Sequence, residues 1–348
     1  MRNRKRIISV LTILVILLLA CVIVSCAFGP VNVSLSNIIK MTLNKISFAN
    51  FEPVWPESHE TIIFDIRLPR VIAGVFVGAA LASAGVIFQG LLRNPMADPY
   101  IIGTSAGAAL GATLAMMLPI SFAFLSLGIV PIAAFSGALI TVLLVYNLAR
   151  VGGKTPVVSM LLAGFVTSSM LAGIMTLLIS INSSLQEKLT SVFRFLMGGF
   201  AIIYWNQLII VIPLVIIGIF LTQLLARQLN AFSLGEEGAA HLGINTEKAK
   251  LIFLALGALL TATAVSISGL IGFVGLITPH AMRLILGPDH RLLLPASALG
   301  GGIFLIIADL IARTMVAPSE VPVGAITAVI GAPFFIYLLR RSKREYTF

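Results

Sequence analysis

Charge is scarce in this chain. Only 10% of its 348 residues are Asp, Glu, Lys or Arg, against roughly 25% in soluble domains. Hydrophobic residues reach 59% and the mean hydropathy is +1.08. The shortage excludes a soluble globular protein, so the chain reads as an integral membrane protein. At ~20 apolar residues per crossing helix, about ten helices use up the length and leave no soluble domain of ordinary size. Any activity that needs one must come from a partner. Cysteine is almost missing: Cys21 and Cys26 share the first apolar stretch, which excludes a disulfide framework and a cysteine metal cluster. The histidines, His59, His241, His280 and His290, form no H-E-x-x-H, and no acidic pair shares a helix face. An enzyme built on metal or acid–base chemistry is thereby disfavoured. Ionisable residues are almost absent from the apolar stretches as well. Each would cost ~2.5–3.5 kcal/mol near a helix centre, and ion-coupled carriers keep several. The energy source therefore lies outside this chain, and a carrier driven by an ion gradient is the alternative reading.

What is present is a succession of apolar runs: 7–28, 70–92, 100–118, 131–150, 157–180, 204–226, 251–269, 271–286, 293–312 and 323–339. They predict an all-α polytopic protein with about ten transmembrane helices in a single domain, 1–348. Two boundaries are ambiguous, across Pro119–Pro131 and at Ser268-Gly269, and a re-entrant or broken helix fits either. Arg2, Arg4, Lys5 and Arg6 precede the first run, and Ile23-Val24-Ser25-Cys26 loosely resembles a lipoprotein cleavage box. The run exceeds a signal core of ~7–15 residues, so an uncleaved first helix is expected. With ten spans both termini share a side; that side carries sixteen of the 23 basic residues. The positive-inside rule makes it the cytoplasm. The formal net charge of +10 sits in short blocks at helix ends, which points to topology and anionic lipid and away from nucleic acid.

Rows of small residues, Gly74, Gly78 and Ala82 or Gly103, Gly107 and Gly111, predict close helix packing. Gly152-Gly153-Lys154-Thr155 resembles the end of a phosphate-binding loop, but Leu148 stands where its first glycine belongs and no strand precedes it. A cytoplasmic turn is expected. Asp309 lies four residues before Arg313, so the two face each other on a helix and pair. The remaining polar features are at the two surfaces. Arg67, Arg70 and Arg313 fall outside, as exposed arginines that either anchor helix ends among lipid headgroups or meet a partner. Residues 227–250 form the longest cytoplasmic loop, with Phe232, Leu234, Leu242 and Ile244 among mixed charge. Either a solvated connector or a docking surface fits it.

Six blocks in order carry a resemblance over nearly the whole chain. They are Arg67-Leu68-Pro69-Arg70; Gly78 to Gln89; Arg93-Asn94-Pro95-Met96-Ala97-Asp98-Pro99; Leu234-Gly235-Glu236 with Leu242-Gly243; Gly272 to Arg283 and Asp289-His290-Arg291; and Asp309, Arg313 and Glu320 to Pro333. This pattern resembles the transmembrane permeases of ATP-binding-cassette importers for iron-siderophores, haem and cobalamin, of the FecCD type. Met96 and Val321-Pro322-Val323 depart mildly from it. The resemblance implies a multi-pass subunit of a bacterial or archaeal inner membrane. Its partners would be a second copy or paralogue, two cytoplasmic ATPase subunits that hold the ATP and magnesium, and an extracytoplasmic substrate-binding protein. No cofactor or metal is expected on this chain. The resemblance also implies that Arg67, Arg70 and Arg313 dock the binding protein. Leu234, Gly235, Glu236, Leu242 and Gly243 would couple to the ATPase, and Gln89, Asn94, Pro95, Phe195, Met197, Gly198 and Gly199 would belong to the pathway and gate region. The segment from Glu187 to Gly199 resembles a short helix lining that pathway.

Overall fold

The computed structural model describes residues 2–31, 33–46, 51–53, 55–118, 123–124, 127–201 and 203–342. Its helices are α1 (Arg2–Ala27), α2 (Leu35–Lys45), α3 (Glu57–Thr61), α4 (Leu68–Leu91), α5 (Thr104–Met117), α6 (Ile129–Ala149), α7 (Val157–Ile181) and α8 (Ser183–Glu187). They continue as α9 (Leu189–Met197), α10 (Trp205–Leu224), α11 (Ala226–Phe232), α12 (Glu236–His241), α13 (Thr246–Ser268), α14 (Val274–Leu286), α15 (His290–Thr314) and α16 (Val323–Ser342). Two-residue strands, β1 (Ala123–Phe124) and β2 (Leu127–Gly128), pair antiparallel. Among the described residues seven helices are long and apolar enough to cross a membrane; α5, α14 and the apolar part of α16 are shorter. Each apolar run read from the sequence holds one of these helices. Met1, residues 119–122 and 125–126 of the ambiguous third boundary, and the basic residues Lys343 and Arg344 lie outside the described residues.

Boundary shifts have physical causes. The second crossing helix starts at Glu57 because α3 and a π-turn, Ile62–Arg67, run unbroken into α4. Pro69 has no amide to offer the carbonyl one turn back, so the helix widens and the Leu68 amide donates to the Ile63 carbonyl instead. The Ser268-Gly269 signal marks a true break. Gly269 has φ +65° and Phe273 φ +69°, and α14 begins only after them. Residues 268, 269 and 271 are buried, as irregular backbone inside a membrane protein must be.

The centre of the bundle is α4, which packs on α13, α14 and α15. The small-residue rows make that packing possible. A Cβ on Gly78 would enter the Gly301 carbonyl, one on Gly85 the Gly275 carbonyl, and one on Gly107 the Gly137 carbonyl. Backbones touch there, and dispersion and close fit hold helices that lipid does not push together. At the periphery, Val158, Leu162, Phe165 and Val166 of α7 are exposed.

Gly78→Ala and Gly85→Ala are expected to destabilise the bundle by about 1–3 kcal/mol each through overpacking. Gly74→Ala should be near neutral, since its new methyl would meet Ile306 Cγ1 at an ordinary 3.5 Å. Thermal unfolding in mild detergent ranks the three.

Candidate functional site

The polar groups gather at the two ends of α4. Arg70 and Gly90 are separated by about 30 Å of helix at 1.5 Å per residue. Around Arg70 stands the first group. Its guanidinium donates to Asp309 from Nε at 3.0 Å and Nη2 at 2.9 Å, and to Glu320 Oε1 from Nη1 at 2.8 Å. Arg313 lies 3.5 Å from Asp309, the expected i,i+4 pair. The sequence reading had these arginines exposed, and the structure corrects that: Arg67, Arg70 and Arg313 retain 4%, 6% and 2% exposure. The reason is the early start of the helix, which draws Arg67 and Arg70 into the bundle. Arg67 Nη1 donates to the carbonyls of Cys26 at 2.9 Å and Ala27 at 3.0 Å, and Nη2 to that of Val31. Arg313 Nη2 donates to the Ser25 carbonyl and, at 2.6 Å, to Ser25 Oγ. Two cations thus cap the C-terminus of α1, where carbonyls lack partners and the dipole is negative. Within this cluster three guanidiniums stand against two carboxylates. Glu320, with 37% of its side chain exposed, is the arm nearest solvent. Sequence reasoning quoted Glu320 only as a family mark and Ser25 only as part of a loose cleavage box.

At the other end, α11 and α12 lie beneath the bundle. Gly235 has φ +96°, and a Cβ there would also stand 3.2 Å from Arg93 Nη1, so this bend needs glycine. Leu234 and Leu242 are 69% and 63% exposed and flank α12, while Gly243 turns the chain at φ +81°. Glu236 is not a free surface acid. Its Oε2 accepts from Lys250 Nζ at 2.6 Å, and that ammonium, 1% exposed as a residue, also reaches Glu247 Oε1 at 3.0 Å and the Thr155 carbonyl at 3.0 Å. Thr155 returns its hydroxyl to Glu247 Oε2 at 2.6 Å. Gly152-Gly153-Lys154-Thr155 is a turn, with φ +58° and +82° at the glycines and Val151 bridging Lys154. Beside it, Asn230 donates to Asp289 Oδ1 at 2.7 Å and accepts the His290 amide at 2.8 Å, fastening α11 to the start of α15. The Arg291 guanidinium and Asn230 amide hold the Asp289 carboxyl well below the usual carboxylate range. Lys250 entered the sequence reading only as a charge for topology. Its fourteen-residue distance from Glu236 crosses a turn, which hides the pair from helix spacing.

The expected gate residues fall into two places. Phe195, Met197, Gly198 and Gly199 end α9 at a junction of three interrupted segments. The Gly199 amide donates to the Ser268 carbonyl at 2.8 Å, Leu270 to Phe195 at 3.0 Å, and Val323 to Gly198 at 3.1 Å. Beside the junction opens a cleft of about 600 Å³ lined by Arg70, Phe193, Arg194, Met197, Glu320 and Pro322, among others. Gln89, Asn94 and Pro95 do not line it. Gln89 is buried and donates to the Gly275 and Leu276 carbonyls at 3.3 and 3.2 Å. Asn94 and Pro95 lie exposed in the turn after α4, where Asn94 Oδ1 accepts the Met96 amide at 2.9 Å.

Comparison with known proteins gives a consistent pattern. The profile of the FecCD transport family matches residues 17–341. The cobalamin import system permease protein BtuC of Halobacterium salinarum is 46% identical over 82% of this chain and 75% of its own length. The hemin transport system permease protein HmuU of Yersinia pestis is 40% identical over 85% and 89%. A solved structure described as an inward-facing conformation of a metal-chelate type ABC transporter superposes with a TM-score of 0.82 at 31% identity, covering 96% of this chain and 99% of that one.

Asp309→Ala strands two buried guanidiniums and is expected to cost about 3–5 kcal/mol, seen as a large drop in melting temperature. Glu236→Arg sets a second cation beside Lys250. It should loosen α12, read as faster hydrogen exchange at residues 236–243 with the rest of the bundle unchanged.

Proposed function

The chain belongs to the FecCD transport family and is a permease subunit of an ATP-binding-cassette importer, and on that premise we propose how it is arranged and what it meets. It is a multi-pass membrane protein. All ten apolar helices cross the bilayer, with both termini in the cytoplasm of a bacterial or archaeal cell and the membrane the inner one. The charge bias supports this orientation: sixteen of the 23 basic residues fall on the terminal side. The exposed apolar face of α7 packs against a second copy or a close paralogue, and a pathway runs between the two subunits beside the Phe195–Gly199 junction.

The observation that carries the coupling role is α12. Two exposed leucines, Leu234 and Leu242, bracket a short helix at the end rich in basic residues, which suits an apolar seat on a cytoplasmic ATPase subunit. ATP binding draws two ATPase subunits together, and the bundle alternates its access as a rigid-body response. At the outer end, the excess of guanidiniums over carboxylates in the cluster of Arg67, Arg70 and Arg313 invites carboxylates of a substrate-binding protein. Because these arginines are buried, an incoming carboxylate takes the place of Glu320 on Arg70. Cargo is a bulky chelate of the kind named for the relatives: cobalamin, haem or a ferric complex. The ion-driven alternative loses its footing, since the relatives are permeases of import systems and of an ABC transporter.

Purification from native membranes in mild detergent should bring an ATPase subunit in equal amount, with hydrolysis stimulated by one binding protein. Proteoliposomes then accumulate cyanocobalamin, haemin or ferric citrate with ATP. A chain that purifies alone and moves solute on an ion gradient sinks the reading. Glu320→Gln should tighten binding-protein docking several-fold in a salt-sensitive manner and leave the ATPase bound; unaltered docking removes Arg70 from that interface.

A further inference from the structure

Lys250 is placed to do more than fill space. A lysine that is 1% exposed loses its hydration and is retained only where carboxylates and carbonyls replace it. Here those replacements come from three separate pieces of chain: Glu236 on α12, Glu247 in the first turn of α13, and the Thr155 carbonyl in the turn before α7. Thr155 closes the ring by donating its amide, at 3.1 Å, and its hydroxyl to Glu247. Without Lys250, α12 would be joined to α13 by the turn of Leu242 to Asn245, with one exposed leucine and one glycine at positive φ, and by the packing of the buried Ala239.

Lys250 also stands at the foot of α13. That helix rises without interruption to Ser268, whose carbonyl accepts the Gly199 amide at 2.8 Å. The span from Lys250 to Ser268 is about 27 Å of straight helix. One rod therefore has the α12 tie at its lower end and the cleft junction at its upper end.

We infer that Lys250 is the positioning residue that makes α12 and α13 move as one body, so that a displacement of α12 reaches the Phe195–Gly199 junction. The inference rests on the reading that α12 seats on the ATPase. It adds that the seat alone is insufficient: a docked α12 released from Lys250 moves without moving α13.

The test uses the purified permease–ATPase complex in proteoliposomes, with MgATP and vanadate as the probe. Cys21→Ser and Cys26→Ser remove native thiols, and Thr190→Cys reports on the cleft, which Thr190 lines. In the parent complex, trapping with vanadate should change the rate of thiol modification at position 190 by about tenfold, an open-to-closed difference in access. With Lys250→Met the ATPase should still co-purify and hydrolyse ATP, while the modification rate no longer depends on nucleotide. Lys250→Arg, which keeps the charge, should restore the dependence. Glu236→Met removes the acceptor on the α12 arm, leaves Glu247 and Thr155 on Lys250, and should behave like Lys250→Met even if that variant folds poorly. A full nucleotide response in both Lys250→Met and Glu236→Met overturns the inference and leaves the ATPase seat intact. Loss of the ATPase from both variants also overturns it, making Lys250 part of the seat and not of the lever. A parent complex with no ATPase overturns the underlying reading.

Discussion

Charge cannot sit unpaired in the middle of this bundle, and that constraint sorts the whole molecule. Among the described residues, every buried ion pair lies at one end of α4 or the other: Arg70 and Arg313 with Asp309, and Lys250 with Glu236 and Glu247. Between them the helices are joined mainly by small residues and apolar side chains, with Gln89 on the Gly275 and Leu276 carbonyls and the Tyr100 hydroxyl on Ile271 as polar exceptions. Dispersion is short-ranged, so the joining requires backbone contact. The glycines opposite Gly301, Gly275 and Gly137 supply it. The polar ends and the close-packed middle are two consequences of one solvent.

The outer end shows how the constraint is met with few acids. Asp309 serves two guanidiniums, and Arg67 is held by carbonyls at the end of α1 without a carboxylate of its own. A helix C-terminus is a ready source of partial negative charge, so α1 is anchored by the cations it helps to bury. The same economy leaves this cluster with one more guanidinium than carboxylates.

Much of the fold was legible because hydropathy follows crossing helices directly. All ten apolar runs hold a helix, and the Ser268-Gly269 break was visible as a turn signal. Asp309 with Arg313 was legible from i,i+4 spacing. Arg70 with Asp309 was not, since 239 residues separate them, and no local rule couples positions on helices that meet only in the folded bundle. The arginines were misplaced for a related reason. The apolar run reads as beginning at Arg70, whereas the π-turn carries the helix through Pro69 from Glu57. Glu236 and Lys250 illustrate the same limit at shorter range: both were seen, one as a partner contact and one as a topological charge, yet their pairing depends on a glycine turn whose geometry the sequence does not state.

The broken segments explain why a packed bundle can still change shape. An unbroken pair of close helices has one comfortable fit, because moving one backbone past another must open the contact along its full length. Where α9 and α13 end and α16 begins, the contact is made by helix ends and the short non-helical pieces Gly198–Gly199 and Gly269–Phe273, bound through three backbone hydrogen bonds. Gly198 and Gly269, both at φ +65°, admit no side chain that would lock one arrangement. The cleft opens at that same place. On the proposed pathway, rigid rods ending at this junction would concentrate motion beside the cleft, while the ion pairs at either end would keep the rods from fraying. Rigidity at Lys250 and compliance at Gly198 and Gly269 are therefore complementary requirements: a loose foot would dissipate the movement before it arrived, and a stiff junction would leave it nothing to open.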